Sequence, residues 1–410
     1  MKDRNNIPID KAWKILFEKH NIVSKVSIDG YYKIKASEIN TVKEARLMAK
    51  FDQSSQLPEV FQQNNLSILP ISRGEYIIGG FKTHEKIVYP KTKPIPVSIP
   101  NLETLDYTNL YSEASALLFA YNSGIIKDLI NSKDIFYTVN GRMSSGCFDY
   151  FIENGLSSQK ITVQNAQVEI DAGYEFPNGF CIVEAKNIAV EEFLIRQLYY
   201  PYRLWTEKIS KPVIPLLMIY SNDVFHFFQY GFKDFDKYNS LELIIHKSYT
   251  FASESITLEE IIDVWKNIKT FSEEKITFPQ ADSFMRIIDL LSILFENELT
   301  REEVTIQYEF DPRQTDYYIT ACVYLGLVER VDVNGERGCK LSDEAKQIMA
   351  LHHKPKTLAL IKKIFEHSVF YHTFDFLVKN NKIPDKNEIC SIMKAANLSI
   401  NETTVRRPKI

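Results

Sequence analysis

Two carboxylates and a lysine are the residues of this sequence best spaced for chemistry. Asp171 is followed, after twelve residues, by Glu184-Ala185-Lys186 within the apolar run FCIVEAKN. Phosphodiester hydrolysis needs an activated water, a cation to neutralise developing charge, and stabilisation of the leaving oxygen. Mg²⁺ prefers hard oxygen ligands, usually one or two carboxylates with water and phosphate completing its shell. Asp171 and Glu184 are therefore candidate metal ligands, and Lys186 is a cation that could sit beside the attacking water. Strand alternation puts Glu184 and Lys186 on one face and Val183 and Ala185 on the other. On an exposed strand such a pair is an ordinary surface ion pair, worth about 0–1 kcal/mol. Cys181, Ile182, Val183 and Ala185 instead predict burial, where a charged pair requires partners or a metal.

The elements around these residues describe a sheet with helices on its faces. Ser112 to Ile130 reads as a helix. A strand through Phe136 to Val139, a polar loop NGRMSSG and a strand around Cys147 to Ile152 follow. Two long strand signals, ITVQNAQVEIDAGYEF and FCIVEAKN, are joined at Pro177-Asn178-Gly179, which folds the second back so that Asp171 nears Glu184. A helix through Val190 to Trp205 comes next. VIPLLMIY and VFHFFQY are apolar strands separated by Ser221-Asn222-Asp223. This order predicts a mixed central sheet flanked by helices.

Asp171, twelve residues and Glu184-Ala185-Lys186, in that setting, resemble the PD-(D/E)xK nuclease motif of type II restriction endonucleases. The resemblance covers about 130 residues, from Ser112 to Tyr230. It implies a restriction-endonuclease-like fold with Asp171 and Glu184 as metal ligands and Lys186 as the catalytic lysine. Ile170 stands where the motif nominally has proline. In many such proteins an acid on the preceding helix also approaches the metal. Glu113 fits that role, because Leu117 and Tyr121 turn its side of the helix toward the core; a helix N-terminal acid is the alternative. Glu169, on the same strand face as Asp171, is a substitute ligand. A glutamine often lies near the site on the following helix, which points to Gln197 for holding the water or a phosphate. Cleavage would use Mg²⁺ and leave 5′-phosphates. Cutting both strands implies a homodimer, at least on DNA.

The ends of the chain offer ways of reading DNA. Phe284 to Phe295 is an amphipathic helix, Thr300 and Glu303 form a capping box, and Pro312 sits near the start of a third helix ending before Gly326. LVERVDV and RGCKLS flank the turn signal Asn334-Gly335. Three helices and a β-hairpin are the order of a winged helix-turn-helix, whose third helix enters the major groove. Arg313, Gln314, Thr315 and Tyr318 would be presented there, with Arg330, Arg337 and Lys340 on the wing. Before residue 100, the run Lys25 to Ile34 predicts a hairpin around Asp29-Gly30. A short helix from Val42 to Lys50 follows, then two strands around Arg73-Gly74. Arg73 is a further candidate for DNA contact. This region resembles N-terminal regions of restriction-enzyme-like proteins. YPKTKPIPVSIPN, with four prolines, reads as the linker that follows.

The expected organisation is thus an N-terminal α/β domain over 1–100, a nuclease domain over 105–270, and a winged helix with a basic helical tail over 280–410. The 410 residues carry a net charge of −4, so positive charge would have to be local; residues 351–410 hold eleven Lys or Arg against five Asp or Glu. Five scattered cysteines without CxxC spacing exclude a disulfide framework and fit a reducing cytoplasm. No run of residues is apolar enough for a membrane span, and the start lacks the apolar core of a signal peptide. The activity expected is Mg²⁺-dependent cleavage of double-stranded DNA at a short sequence. A structure-directed repair or recombination nuclease, and a DNA-binding regulator with an inactive nuclease core, are the alternatives.

Overall fold

The computed structural model describes residues 7–107, 110, 112–155, 157–251, 256–271, 278–308 and 312–396. At its centre lies the strand Gly179–Lys186, in which every residue is buried. It is fifth in a seven-stranded sheet ordered Ile95–Pro96, Leu241–Thr250, Val224–Phe232, Val213–Ser221, Gly179–Lys186, Gln167–Phe176, Phe136–Ser144. Gly179–Lys186 runs parallel to Val213–Ser221, and the edge strand Ile95–Pro96 parallel to Leu241–Thr250; the other neighbours are antiparallel. Parallel neighbours need a crossover, which the helix Arg196–Lys208 supplies.

Alternation sorts the side chains to two faces. Cys181, Val183 and Ala185 pack with Leu216 and Met218 against Leu117, Phe119 and Ile125 of the helices Glu113–Asn122 and Ile125–Ile130. Phe180 and Ile182 point the other way, toward Tyr199 and Tyr200 of the crossover helix. A hairpin of Cys147–Asn154 and Ser157–Gln164 covers this second face with Phe148, Tyr150 and Ile152.

Several local expectations are corrected. The helix read from Ser112 to Ile130 is broken at Gly124, whose φ is 83°. NGRMSSG is mostly not a loop: the strand Phe136–Ser144 takes in its first five residues, pairing with Gln167–Phe176 across two irregularities in register, and only Ser145 and Gly146 connect to the next strand. The long signal ITVQNAQVEIDAGYEF is two strands, turning at Asn165 with φ 55°. The crossover helix starts at Arg196 rather than Val190, because Glu192–Leu194 forms a strand with His84–Lys86. Lys25 to Ile34 is not a hairpin. A helix, Ile22–Asp29, ends there at a left-handed Gly30 and a strand, Tyr31–Lys35, begins.

The N-terminal region has its own core, in which Trp13, Leu16 and Phe61 meet Ile34 and Ile78. Trp13 donates its indole N–H to Met48 O at 2.7 Å and stands edge-on to Phe61. This core closes at Ile78, earlier than the proline-rich stretch suggested. Beyond it His84–Lys86 and Ile95–Pro96 already join the central part. Pro96 lacks an N–H and is tolerated in a sheet because the strand is at its edge.

Residues 284–341 form three helices, Phe284–Glu296, Arg301–Gln307 and Pro312–Tyr324, followed by the hairpin Val328–Val333 and Glu336–Leu341. Thr300 and Glu303 make the expected capping box, and Asn334 and Gly335 take the positive φ of a tight turn. A short strand, Leu299–Thr300, adds to the hairpin. This unit does not have a separate core. Leu290, Leu294 and Leu327 belong to one apolar cluster with Leu217, Ile219 and Phe228 of the central sheet. Four helices from Asp343 to Ala395 follow. The basic Arg406, Arg407 and Lys409 lie outside the described residues. Among the described residues no helix is long and apolar enough to cross a membrane.

Candidate active site

The ladder between Gln167–Phe176 and Gly179–Lys186 ends at the pair Ala172–Val183. Just beyond it, Asp171 Oδ2 accepts a hydrogen bond from Ala185 N–H at 2.8 Å. The strand is irregular here. Ile170 packs on one face of the sheet and Ala172 on the other, though regular alternation would put both on the same side. Such an irregularity re-aims a side chain, and Asp171 is the residue at the break.

Glu184 and Lys186 share the face toward the crossover helix, as alternation requires. Both are nearly enclosed, 8% and 5% exposed, and Lys186 Nζ lies 3.4 Å from Glu184 Oε1. Gln197, in the first turn of that helix, donates from Nε2 to Glu184 Oε1 at 2.5 Å. Its Oε1 is buried without a hydrogen-bond partner.

Burial dominates the electrostatics. It pushes the Glu184 carboxyl well above its ordinary range, and the neighbouring Asp171 charge adds to this while Lys186 opposes it. Burial also raises Asp171, against the lowering effects of the Ala185 N–H and Lys186. Enclosed carboxylates of this kind are costly to ionise unless a cation accompanies them.

Asp52 arrives from the N-terminal region, 7% exposed, with Oδ2 at 4.0 Å from Lys186 Nζ. Sequence reasoning missed it. Asp52 lies 119 positions before Asp171 in an irregular stretch, FDQ, and carries no periodic or motif signal. His84, whose pKa burial lowers, lies near Asp52 and Glu192.

The other expected site residues divide. Glu113, half-buried in the first turn of its helix, is close enough to raise Glu184. It does not complete a three-acid metal centre: among the described residues no three His, Cys, Asp or Glu side chains converge to hold an ion. Glu169 turns outward and pairs with Arg142 at 3.1 Å, so it is not a substitute ligand in this arrangement. In the C-terminal unit, Thr315 and Tyr318 are buried and are corrected from contact residues to core residues. Thr315 shares a hydrogen bond with Thr305 at 2.9 Å, and Tyr318 donates to Asp282 at 2.9 Å. Arg313 and Arg337 are exposed, Gln314 is half-exposed, and Lys340 pairs with Glu329 at 3.7 Å. Arg73 is exposed between two strands of the N-terminal region.

Three family models match consecutive parts of the chain. Each is described as a Domain of unknown function: DUF6996 over residues 10–78, DUF6997 over 79–250 and DUF7226 over 286–409. No curated protein and no solved structure matches. Asp171, Glu184, Lys186 and Gln197 all lie in the second match, and Asp52 lies in the first. The site is therefore assembled from two of the matched segments.

Two carboxylates suit Mg²⁺, which takes one or two such ligands and keeps several waters. The orphaned Gln197 Oε1 beside Glu184 is a further oxygen able to hold a water of that shell. The donor set is thus of the kind that Mg²⁺ takes.

Proposed function

We propose that this chain is a Mg²⁺-dependent endonuclease for double-stranded DNA, acting at a short sequence as type II restriction enzymes do. The observation that carries this reading is the convergence of Asp171, Glu184, Lys186 and Gln197 at the broken end of one strand ladder. A structural ion pair would not need the second acid beside the first, nor the amide fixing Glu184.

Asp171 and Glu184 would hold the ion, which would neutralise charge building on the phosphate. Gln197 fixes the Glu184 carboxylate through its N–H, leaving the other carboxylate oxygen for the ion. The Ala185 N–H fixes Asp171 in the same way. Lys186, held beside Glu184, presents an ammonium that donates to a phosphate oxygen or orients the attacking water. The low-dielectric surroundings strengthen each of these interactions.

DNA would be engaged through a C-terminal winged helix, with exposed Arg313 and Arg337 toward the duplex. The core shared by this unit and the sheet supports a fixed geometry between reader and cutter. Two strands cut together imply two copies, so a homodimer on DNA belongs to the proposal. Incubation with supercoiled plasmid in Mg²⁺ and in EDTA tests the activity. Linear product in Mg²⁺ alone supports the reading. Intact plasmid across several DNAs, methylated ones included, overturns it.

A further inference from the structure

Lys186 already faces an anion from outside the strand pair that carries Asp171 and Glu184. Asp52 Oδ2 lies 4.0 Å from its ammonium, and their side chains are 8% and 6% exposed. An ammonium enclosed to that degree meets a DNA phosphate only if a neighbouring segment gives way, and the segment carrying Asp52 is one that touches it. That segment runs from the helix Ala45–Met48 to the turn Ser54–Gln56 and is fastened on both sides of Asp52. Ser54 N–H donates to Glu192 Oε1 at 2.5 Å, and Phe51 O lies 3.2 Å from His84 Nε2. Both fastening side chains come from the paired strands His84–Lys86 and Glu192–Leu194 of the central part. Lys50, largely exposed, lies 4.0 Å from the same Asp52 oxygen and marks the outer rim.

We propose that Asp52 is an internal stand-in for the substrate phosphate. The N-terminal region seats its carboxylate at Lys186, and a phosphodiester of duplex DNA must displace it to enter the site. Carboxylate and phosphodiester are both anionic oxygen acceptors, and an ammonium pairs with either. The anion subsite of the enzyme is therefore the place Asp52 occupies, between Lys186 inside and Lys50 at the rim. The N-terminal region controls access to it. This inference rests on the nuclease reading of the site.

The test uses the full chain, a fluorescent duplex and EDTA, so that binding is read without cleavage. Asp52→Asn should bind at least threefold more tightly than the parent, and Asp52→Glu, which keeps the charge, should bind like the parent. In a Lys186→Ala background the gain from Asp52→Asn should shrink below twofold, which separates displacement at Lys186 from a general loss of negative charge. If Asp52→Asn fails to fold by thermal unfolding, Asp52→Ser carries the same comparison. Unchanged or weaker binding by the neutral variant overturns the gate alone. An equal gain without Lys186 does the same. No DNA binding by any variant overturns the gate together with the nuclease reading.

Discussion

Asp171 and Ala185 are joined where the strand ladder stops, the carboxylate Oδ2 taking the Ala185 N–H at 2.8 Å. Asp171 thus has a structural duty besides the proposed chemical one, and two substitutions separate them. Asp171→Asn keeps an acceptor for the N–H and should fold with nearly parental stability. Asp171→Ala strands a buried N–H and should lose about 1–3 kcal/mol in denaturant unfolding. Cleavage should be lost in both. A stable, active Asp171→Ala would contradict both duties.

Two enclosed carboxylates predict stabilisation by a divalent ion. Ca²⁺ or Mg²⁺ should raise the melting temperature, with about 2.7 kcal/mol gained at a hundredfold excess over Kd. Glu184→Gln should abolish the gain, and without metal it should match or exceed the parent in stability because a buried carboxylate is gone. A metal-induced rise that survives Glu184→Gln and Asp171→Asn together would place the ion elsewhere.

Asp289 predicts a pH dependence of a different kind. It is fully enclosed between Ser221 Oγ, which donates to it at 2.9 Å, and the Ala189 N–H at 3.0 Å. Burial raises its pKa to about 7. In the unfolded chain it titrates near 4, so the native state binds the extra proton between pH ~4 and 7. Its neutral form favours the fold at low pH, and that contribution is lost as pH rises through about 7. Thermal unfolding from pH 5 to 8 should show a smaller fall for Asp289→Asn than for the parent. Equal slopes would contradict this assignment.

Much of the central part was legible in sequence because its residues obey a single period. FCIVEAKN is an apolar run after a turn signal and is buried throughout as a strand, so the two-residue spacing alone put Glu184 and Lys186 on one face as expected. Asp171 was found by spacing, but the break in alternation between Ile170 and Ala172 was not, since both are apolar. Thr315 and Tyr318 were misplaced because polar atoms near a helix start suggest exposure, whereas their side chains pack in the core and their hydroxyls find partners in Thr305 and Asp282. The polar run NGRMS forms an edge strand with largely exposed side chains, which hydrophobic periodicity does not register. Asp52 was illegible because it reaches Lys186 through the tertiary fold from an irregular segment far back in the chain.

The corrected surface of the C-terminal unit gives a paired expectation. Arg313→Ala and Arg337→Ala should each weaken duplex binding and lower the salt slope by about one. Thr315→Val should leave affinity unchanged and cost stability instead, since Thr305 loses a buried partner. Fluorescence anisotropy over a salt series distinguishes these outcomes. Equal affinities for all three variants would remove this face from the DNA interface.

The most direct measurement is digestion of long unmethylated DNA in Mg²⁺ by the parent, Asp171→Asn and Lys186→Ala, each first shown to be folded. Discrete fragments are expected from the parent, and uncut DNA from both variants and from the parent in EDTA. A metal-dependent smear would contradict sequence-specific cutting and favour a structure-directed nuclease. Fragments that persist in both variants would contradict the active site proposed at Asp171, Glu184 and Lys186.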